Sequence, residues 1–219
     1  MIYQKYVKRF MDISLSLLGM IVLIPVWLLI IIAILIDDFG PVFFSQKRFG
    51  INKSLFNIYK FRTMKINTPR DQPTHLLENP EQYITRVGKF LRKSSLDELP
   101  QLINIFKGDM SVIGPRPALW NQDDLIAERD IYHANEIKPG LTGWAQVNGR
   151  DELSIKMKAK FDGEYSAGIS FSMDWKCFWR TIVSVINHDG IVEGRIDELK
   201  GDNYSRGVLK NEKNTIYHS

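Results

Sequence analysis

The sequence predicts an α+β, helix-rich fold in which an N-terminal membrane helix precedes a small domain carrying short strands. Three observations predict it. Residues Ile13 to Ile36 form an apolar run of about twenty-four residues without a charge, long enough to enter a hydrocarbon core as a helix. Two later stretches, Val42–Ser45 and Leu55–Phe61, have the β-branched and aromatic content of strands. Beyond them, apolar residues recur at three- and four-residue spacing, as in amphipathic helices.

Composition sets the bounds. The chain has 219 residues; without the apolar run about 180 remain, enough for one domain with its own core. A net charge of +4 and a pI near 9.0 suit phosphate groups, whether on nucleic acid, anionic lipid or a nucleotide-linked substrate. Cys177 is the single cysteine, so no intrachain disulfide forms, which fits a reducing compartment.

The apolar run reads as an uncleaved anchor. It exceeds the apolar region of a signal peptide, and Asp37-Asp38-Phe39-Gly40-Pro41 follows it in place of a small-residue cleavage site. Lys5, Lys8 and Arg9 precede it; Lys47, Arg48, Lys53, Lys60, Arg62 and Lys65 follow it. Basic flanks mark the cytoplasmic side, and a simple crossing does not explain two of them. Pro25 lies mid-run, where a proline removes a hydrogen bond and kinks a helix. A break there returns both ends to one face. A spanning helix with a tolerated proline is the alternative, and these features leave both open.

The remaining elements follow in order. Gly50-Ile51-Asn52-Lys53 reads as a hairpin connection between the two strands. Ile66 to Pro80, with Pro69, Pro73 and Pro80, reads as a surface loop. Thr85 to Arg92 is a short basic helix. Leu96 to Phe106 is a second helix with Leu99, Leu102, Ile103 and Phe106 on its apolar positions, closed by Gly108. Met110–Ile113 is a short buried strand, and Gly114-Pro115-Arg116-Pro117 is extended and irregular. Asn121–Asn135 is polar and helical, Pro139–Trp144 is loop, and Glu152–Tyr165 and Phe171–Asn187 are two further helices. The last carries Trp175, Phe178, Trp179 and Ile182 at helical spacing. Core packing is the more frequent origin of such a stripe; a helix lying on a bilayer is the other. After Arg195 the chain is polar, aperiodic and peripheral.

Asp97-Glu98 is the first candidate for chemistry. Adjacent carboxylates repel, and a cation is needed to keep both ionised in a buried site. They then serve as a nucleophile or base beside a metal ligand. The structural alternative is a capping box, Ser95-x-x-Glu98, with acids complementing a helix dipole. Around the pair lie Arg86, Lys89, Arg92, Lys93 and Arg116. Pro115 and Pro117 stiffen the backbone of Arg116, and arginine suits bidentate phosphate recognition. Lys60 and Arg62 add two cations at a strand end, and Asn148-Gly149 favours a tight turn presenting Arg150. Each of these cations also has an ordinary solvated reading. Neither a Walker-type loop nor a dinucleotide fingerprint occurs. His75, His133, His188 and His218 are scattered, without metal-ligand spacing.

Taken together, Lys60-Phe61-Arg62-Thr63-Met64, Arg92 through Leu102, Gly114-Pro115-Arg116-Pro117, Pro139 through Trp144 and Gln146-Val147-Asn148-Gly149-Arg150 resemble the bacterial sugar transferases. These are monotopic phosphoglycosyl transferases acting on polyprenyl phosphate. The resemblance covers about residues 1 to 195 and keeps the motifs in order. It implies transfer of a sugar-1-phosphate from a UDP-sugar to undecaprenyl phosphate with release of UMP, the first membrane step of a bacterial glycan pathway. By the matching motifs, Asp97 is the nucleophile and, with Glu98, holds Mg²⁺. Arg92, Arg116 and Arg150 hold phosphates, and Lys60 and Arg62 lie at the nucleotide sugar. The implied organisation is a membrane anchor, 1–38, with a re-entrant helix 13–36; a small cytoplasmic catalytic domain carrying short strands, 39–195; and a polar tail, 196–219. The implied location is the cytoplasmic face of the bacterial inner membrane, in contact with its lipid, with no nucleic acid partner; homo-oligomerisation is left open. One departure is Ile24-Pro25, where the family often has serine before the proline.

Two other functions compete. A metal-dependent glycosyltransferase would release UDP, but its Asp-x-Asp motif lacks a convincing counterpart, since Asp123-Asp124 has the wrong spacing. A membrane-tethered module binding anionic lipid or nucleic acid would be salt-sensitive and indifferent to Asp97.

Overall fold

In a computed structural model, residues 2–68, 80–149 and 152–187 of the protein are described. A π-helical segment, Tyr3–Val7, leads into α1 (Lys8–Val22), and α2 (Ile24–Asp37) follows after a bend of 60°. Neither helix alone is long and apolar enough to cross a membrane; the bent pair meets that requirement in length and composition. The break falls at Leu23 (φ −88°, ψ 3°), two residues before the expected kink at Pro25. A proline ring obstructs the carbonyl four residues back and offers it no N–H. The Leu23 N–H closes α1 on the Gly19 carbonyl at 3.0 Å and also faces the Ile21 carbonyl. Pro25 itself sits in the first turn of α2, where a missing N–H costs nothing.

β1 (Phe43–Phe49) pairs antiparallel with β2 (Leu55–Phe61), Phe43 opposite Phe61 and Phe49 opposite Leu55. The first strand runs four residues past the predicted Ser45, because the basic Lys47 and Arg48 continue the ladder opposite Asn57 and Phe56. The connection is a 3-10 turn, Ile51–Lys53, with Asn52 and Lys53 at positive φ.

α3 (Arg86–Lys93) starts at Thr85, whose hydroxyl accepts the Gly88 N–H at 2.9 Å. The predicted helix from Leu96 to Phe106 is divided. Leu96–Glu98 is a 3-10 turn, Pro100 follows, and α4 (Gln101–Lys107) ends at Gly108 with φ 99°. β3 (Ser111–Ile113) pairs in parallel with β4 (Gly140–Thr142). The latter was expected as loop; a three-residue strand paired with a distant segment leaves no local period to read. A Cβ on Gly140 would collide with the Gly114 backbone, so glycine permits this approach. α5 (Asp123–Asp130) is shorter than predicted, α6 (Trp144–Val147) is a single turn, and α7 (Ile155–Ala167) and α8 (Phe171–Asn187) match the two expected helices. The tail 196–219, and most of the Ile66–Pro80 loop, lie outside the described residues.

Both arms of the bent pair are bound to the domain. Ile30 and Ile34 of α2 are buried with Phe61 and Leu91, and Gly19 of α1 lies against Leu102 of α4. Asp12 accepts the Ser111 hydroxyl at 3.0 Å and the Val112 N–H at 2.9 Å. Lys8 meets Asp174 at 2.6 Å, and Tyr165 donates to the other Asp174 oxygen at 2.5 Å. At the far end, Asp37 accepts the Val87 N–H at 2.8 Å. The aromatic stripe of α8 does not enter the core. Trp175, Phe178 and Trp179 are exposed, while Asp174, Cys177 and Thr181 form the inward line of the helix. Periodicity alone reveals a stripe but not which way it faces.

Candidate active site

The 3-10 turn between α3 and α4 carries Asp97 and Glu98. Ser95, in the left-handed region (φ 57°, ψ 16°), turns the chain into it and makes no side-chain cap. The capping box, the structural alternative for this pair, is therefore not formed. Both carboxylates are buried, at 8 and 9% exposure, and face basic groups from other elements. Lys60, next to last in β2, places its Nζ 2.7 Å from Glu98 Oε1 and 3.3 Å from Asp97 Oδ2. Arg116 Nη2 donates to the same Glu98 oxygen at 3.0 Å.

Burial alone would raise the Glu98 pKa, but Lys60 and Arg116 outweigh it and hold the group well below the usual carboxylate range. Asp97 goes the other way. Burial raises it above its ordinary value, the Glu98 charge adds to the rise, and Lys60 and Arg92 only partly oppose. The pair thus divides into a firmly ionised Glu98 and a more basic Asp97, a better electron-pair donor.

The other predicted residues are placed unequally. Arg92 donates through Nε to Thr63 Oγ1 at 2.9 Å, and its charge reaches Asp97. Arg62 is not brought to the carboxylates. It donates to the Asp38 carbonyl, with Nη1 3.5 Å from the Asp38 carboxylate, tying the end of α2 to β2. Arg150 lies outside the described residues.

Several positioning residues escaped the sequence. Asn104 is fully buried; it accepts the Tyr59 N–H at 3.0 Å and donates to the Asn57 carbonyl at 2.8 Å. It therefore locks β2, and with it Lys60, onto α4. Arg129 meets Asp162 Oδ2 through Nε at 2.8 Å and Nη2 at 2.6 Å, and also donates to the Arg116 carbonyl at 3.0 Å. A signal for this pair existed. Arg129 follows Leu125 and Ile126 by one turn, and Asp162 follows Ala159, so each is a charge on an apolar helix face.

Asp97 and Glu98 also fit a divalent cation. They supply two hard oxygen donors side by side, and no group of three or more metal-binding side chains exists among the described residues. That donor set suits Mg²⁺, which binds through one or two carboxylates and completes its shell with substrate phosphates and water. The arrangement can deliver a carboxylate nucleophile to an anionic phosphorus centre inside a fence of cations.

Comparison with known proteins is consistent with this chemistry. The family model described as bacterial sugar transferase matches residues 3–188. A Bacillus subtilis protein called an uncharacterized sugar transferase, EpsL, is 43% identical over 152 residues, 69% of this chain and 73% of its own length. The exopolysaccharide production protein ExoY of Sinorhizobium fredii is 35% identical over 192 residues, covering 81% and 84%. The UDP-glucose:undecaprenyl-phosphate glucose-1-phosphate transferase of Escherichia coli is 37% identical over 187 residues, 81% of this chain and 40% of the larger protein.

Proposed function

The chain belongs to the bacterial sugar transferase family, and from that premise we propose that it transfers a sugar-1-phosphate from a UDP-sugar to undecaprenyl phosphate. The observation that carries the reading is the buried Asp97–Glu98 pair, with Lys60 and Arg116 directly on it.

An Asp97 oxygen attacks the phosphorus that bears the sugar. The bond from that phosphorus to the bridging oxygen breaks, and UMP departs with the electron pair. The sugar-phosphate remains on Asp97 as an acyl phosphate. In the second half, a phosphate oxygen of undecaprenyl phosphate attacks the same phosphorus, and the Asp97 carboxylate leaves. Two easier displacements replace one difficult transfer between anions. Lys60, Arg92 and Arg116 neutralise the donor's phosphates, Arg150 is assigned the same task by its motif, and Arg62 fixes the anchor to the strand that carries Lys60. Glu98 and Asp97 would hold Mg²⁺, which when bound would supply Lewis-acid stabilisation of the phosphoryl oxygens.

The substrate is partly lipid, so the anchor belongs to the mechanism. Its two ends contact one domain, through Lys8 and Asp12 at one end and Asp37 and Asp38 at the other. Both ends are therefore assigned to one face of the bilayer, as in a re-entrant helix. From Asp12 to Val22 the first arm rises about 15 Å, half of a hydrocarbon core of ~30 Å. Leu18, Ile21, Val22, Ile24 and Leu28 around the bend are exposed and suit lipid. The basic flanks support assigning that face to the cytoplasm, and the membrane is assigned as the inner one.

The test is nucleotide release. Purified protein, undecaprenyl phosphate, Mg²⁺ and a panel of UDP-sugars should yield UMP with one or a few donors. Asp97→Asn should yield none while remaining folded. Release of UDP would instead indicate sugar transfer without its phosphate.

A further inference from the structure

We propose that Lys60 is a placeholder for the divalent cation: its ammonium sits between Asp97 and Glu98 until the cation arrives, then turns to the donor's phosphates. The inference rests on the reading above and adds a moving part to it.

The geometry is that of a bridging cation. Lys60 Nζ lies 2.7 Å from Glu98 Oε1 and 3.3 Å from Asp97 Oδ2, and so compensates both carboxylates at once. A divalent ion bound at about 2.0–2.1 Å from Glu98 Oε1 would stand no more than about 4.8 Å from that ammonium. Two cations that close repel strongly in a buried site, so one must yield.

Three features select Lys60 as the one that moves. Its four-carbon stem is flexible and its charge is a compact, readily hydrated point. The side chain keeps 18% exposure, an outlet from the site. Lys60 also reaches both carboxylates, whereas Arg116 meets Glu98 Oε1 at 3.0 Å from a backbone stiffened by Pro115 and Pro117. Backbone fixation from Asn104 on Tyr59 and Asn57 keeps β2 in place, so the side chain swings and the strand does not.

Two consequences follow. Without donor, Asp97 stays paired to Lys60 and cation binding is weak, because the ammonium must be displaced into water. With donor, the pyrophosphate receives the ammonium, so donor and cation each raise the other's affinity by the same factor.

The experiment uses the full chain in detergent and Mn²⁺ as the probe, read by electron paramagnetic resonance without donor. Lys60→Met should bind Mn²⁺ at least tenfold more tightly than wild type, and adding Glu98→Gln should abolish that binding. Equal affinity in wild type and Lys60→Met, with Glu98 still required, overturns the placeholder and leaves the transfer reading intact. Absence of a Glu98-dependent Mn²⁺ site in both proteins overturns the placeholder and the metal assignment together. Should Lys60→Met misfold, wild-type lysine acylation mapped by mass spectrometry decides. Lys60 labelling should rise at least threefold with Mn²⁺ and not respond in Glu98→Gln; no rise in wild type overturns the proposal.

Discussion

Arg129→Met tests whether the buried pair beneath Arg116 serves folding alone or catalysis as well. The guanidinium is 6% exposed and its partner Asp162 is 1% exposed. Removing one member of a buried pair strands the other, a loss of about 3–5 kcal/mol. The low end, about 3 kcal/mol, is expected, because the Lys158 charge also reaches Asp162. For a chain of this size, each kcal/mol lowers Tm by about 2–4 °C, so the single variant should melt roughly 6–12 °C early. Arg129→Met combined with Asp162→Leu removes both charges and should recover most of that loss, since apolar replacement of a buried pair is often neutral or stabilising. Activity should not recover with it. The Arg116 carbonyl has lost the donor at 3.0 Å, and UMP release should stay at least tenfold down, about 1.4 kcal/mol of transition-state stabilisation. Thermal unfolding and initial-rate UMP release on the three proteins decide. Wild-type turnover in a double variant of normal Tm would refute a positioning role for Arg129.

Other predictions concern the site and the anchor. Arg116→Lys keeps a charge but loses the planar fork; UMP release should fall at least tenfold while Tm barely moves, since the side chain is 43% exposed, and a full rate would leave Arg116 a surface charge. Protonated Asp97 is a far poorer nucleophile than the carboxylate, and its pKa is raised above 3.8 by burial and by Glu98, so the acid limb of kcat/KM should lie above the ordinary aspartate range; a limb at or below 3.8 contradicts this. The stability signs differ. The raised Asp97 pKa makes ionisation costly as pH climbs through it, whereas the depressed Glu98 pKa gives stability that is full above its unfolded value of 4.5 and is lost as pH falls through the folded one. At neutral pH, thermal unfolding should therefore show Asp97→Asn at least as stable as wild type and Glu98→Gln less so. Cysteines placed at exposed Lys5 and Asn67 should both be shielded from a membrane-impermeant thiol reagent in intact cells; labelling at position 5 alone would mean a spanning helix.

Much of this architecture was readable because local rules govern it. The apolar run, the β1–β2 hairpin, the short basic helix beginning near Thr85 and Gly108 as a stop all depend on nearby residues. The Asp97–Glu98 pair stood out as a motif, but its surroundings did not, because they come from β2 and the loop after β3. Lys60 and Arg62 illustrate the limit. A continuing strand would put both on one face, yet β2 ends at Phe61, and Arg62 turns to Asp38 while Lys60 turns to the carboxylates. The β3–β4 pair is parallel and far apart in sequence, and no local pattern encodes such a partner. The stripe on α8 was visible, but its outward direction depends on which face Asp174 and Cys177 bury.

The proposed transfer requires that Asp97 carry the sugar-phosphate. Wild-type protein mixed with its UDP-sugar and Mg²⁺, without lipid acceptor, should gain the mass of one sugar-phosphate and release at most one equivalent of UMP. Peptide mapping should place the adduct on Asp97, and undecaprenyl phosphate should then discharge it. Glu98→Gln should form it slowly and Asp97→Asn not at all. An adduct on another residue, or steady turnover by Asp97→Asn, would contradict the account.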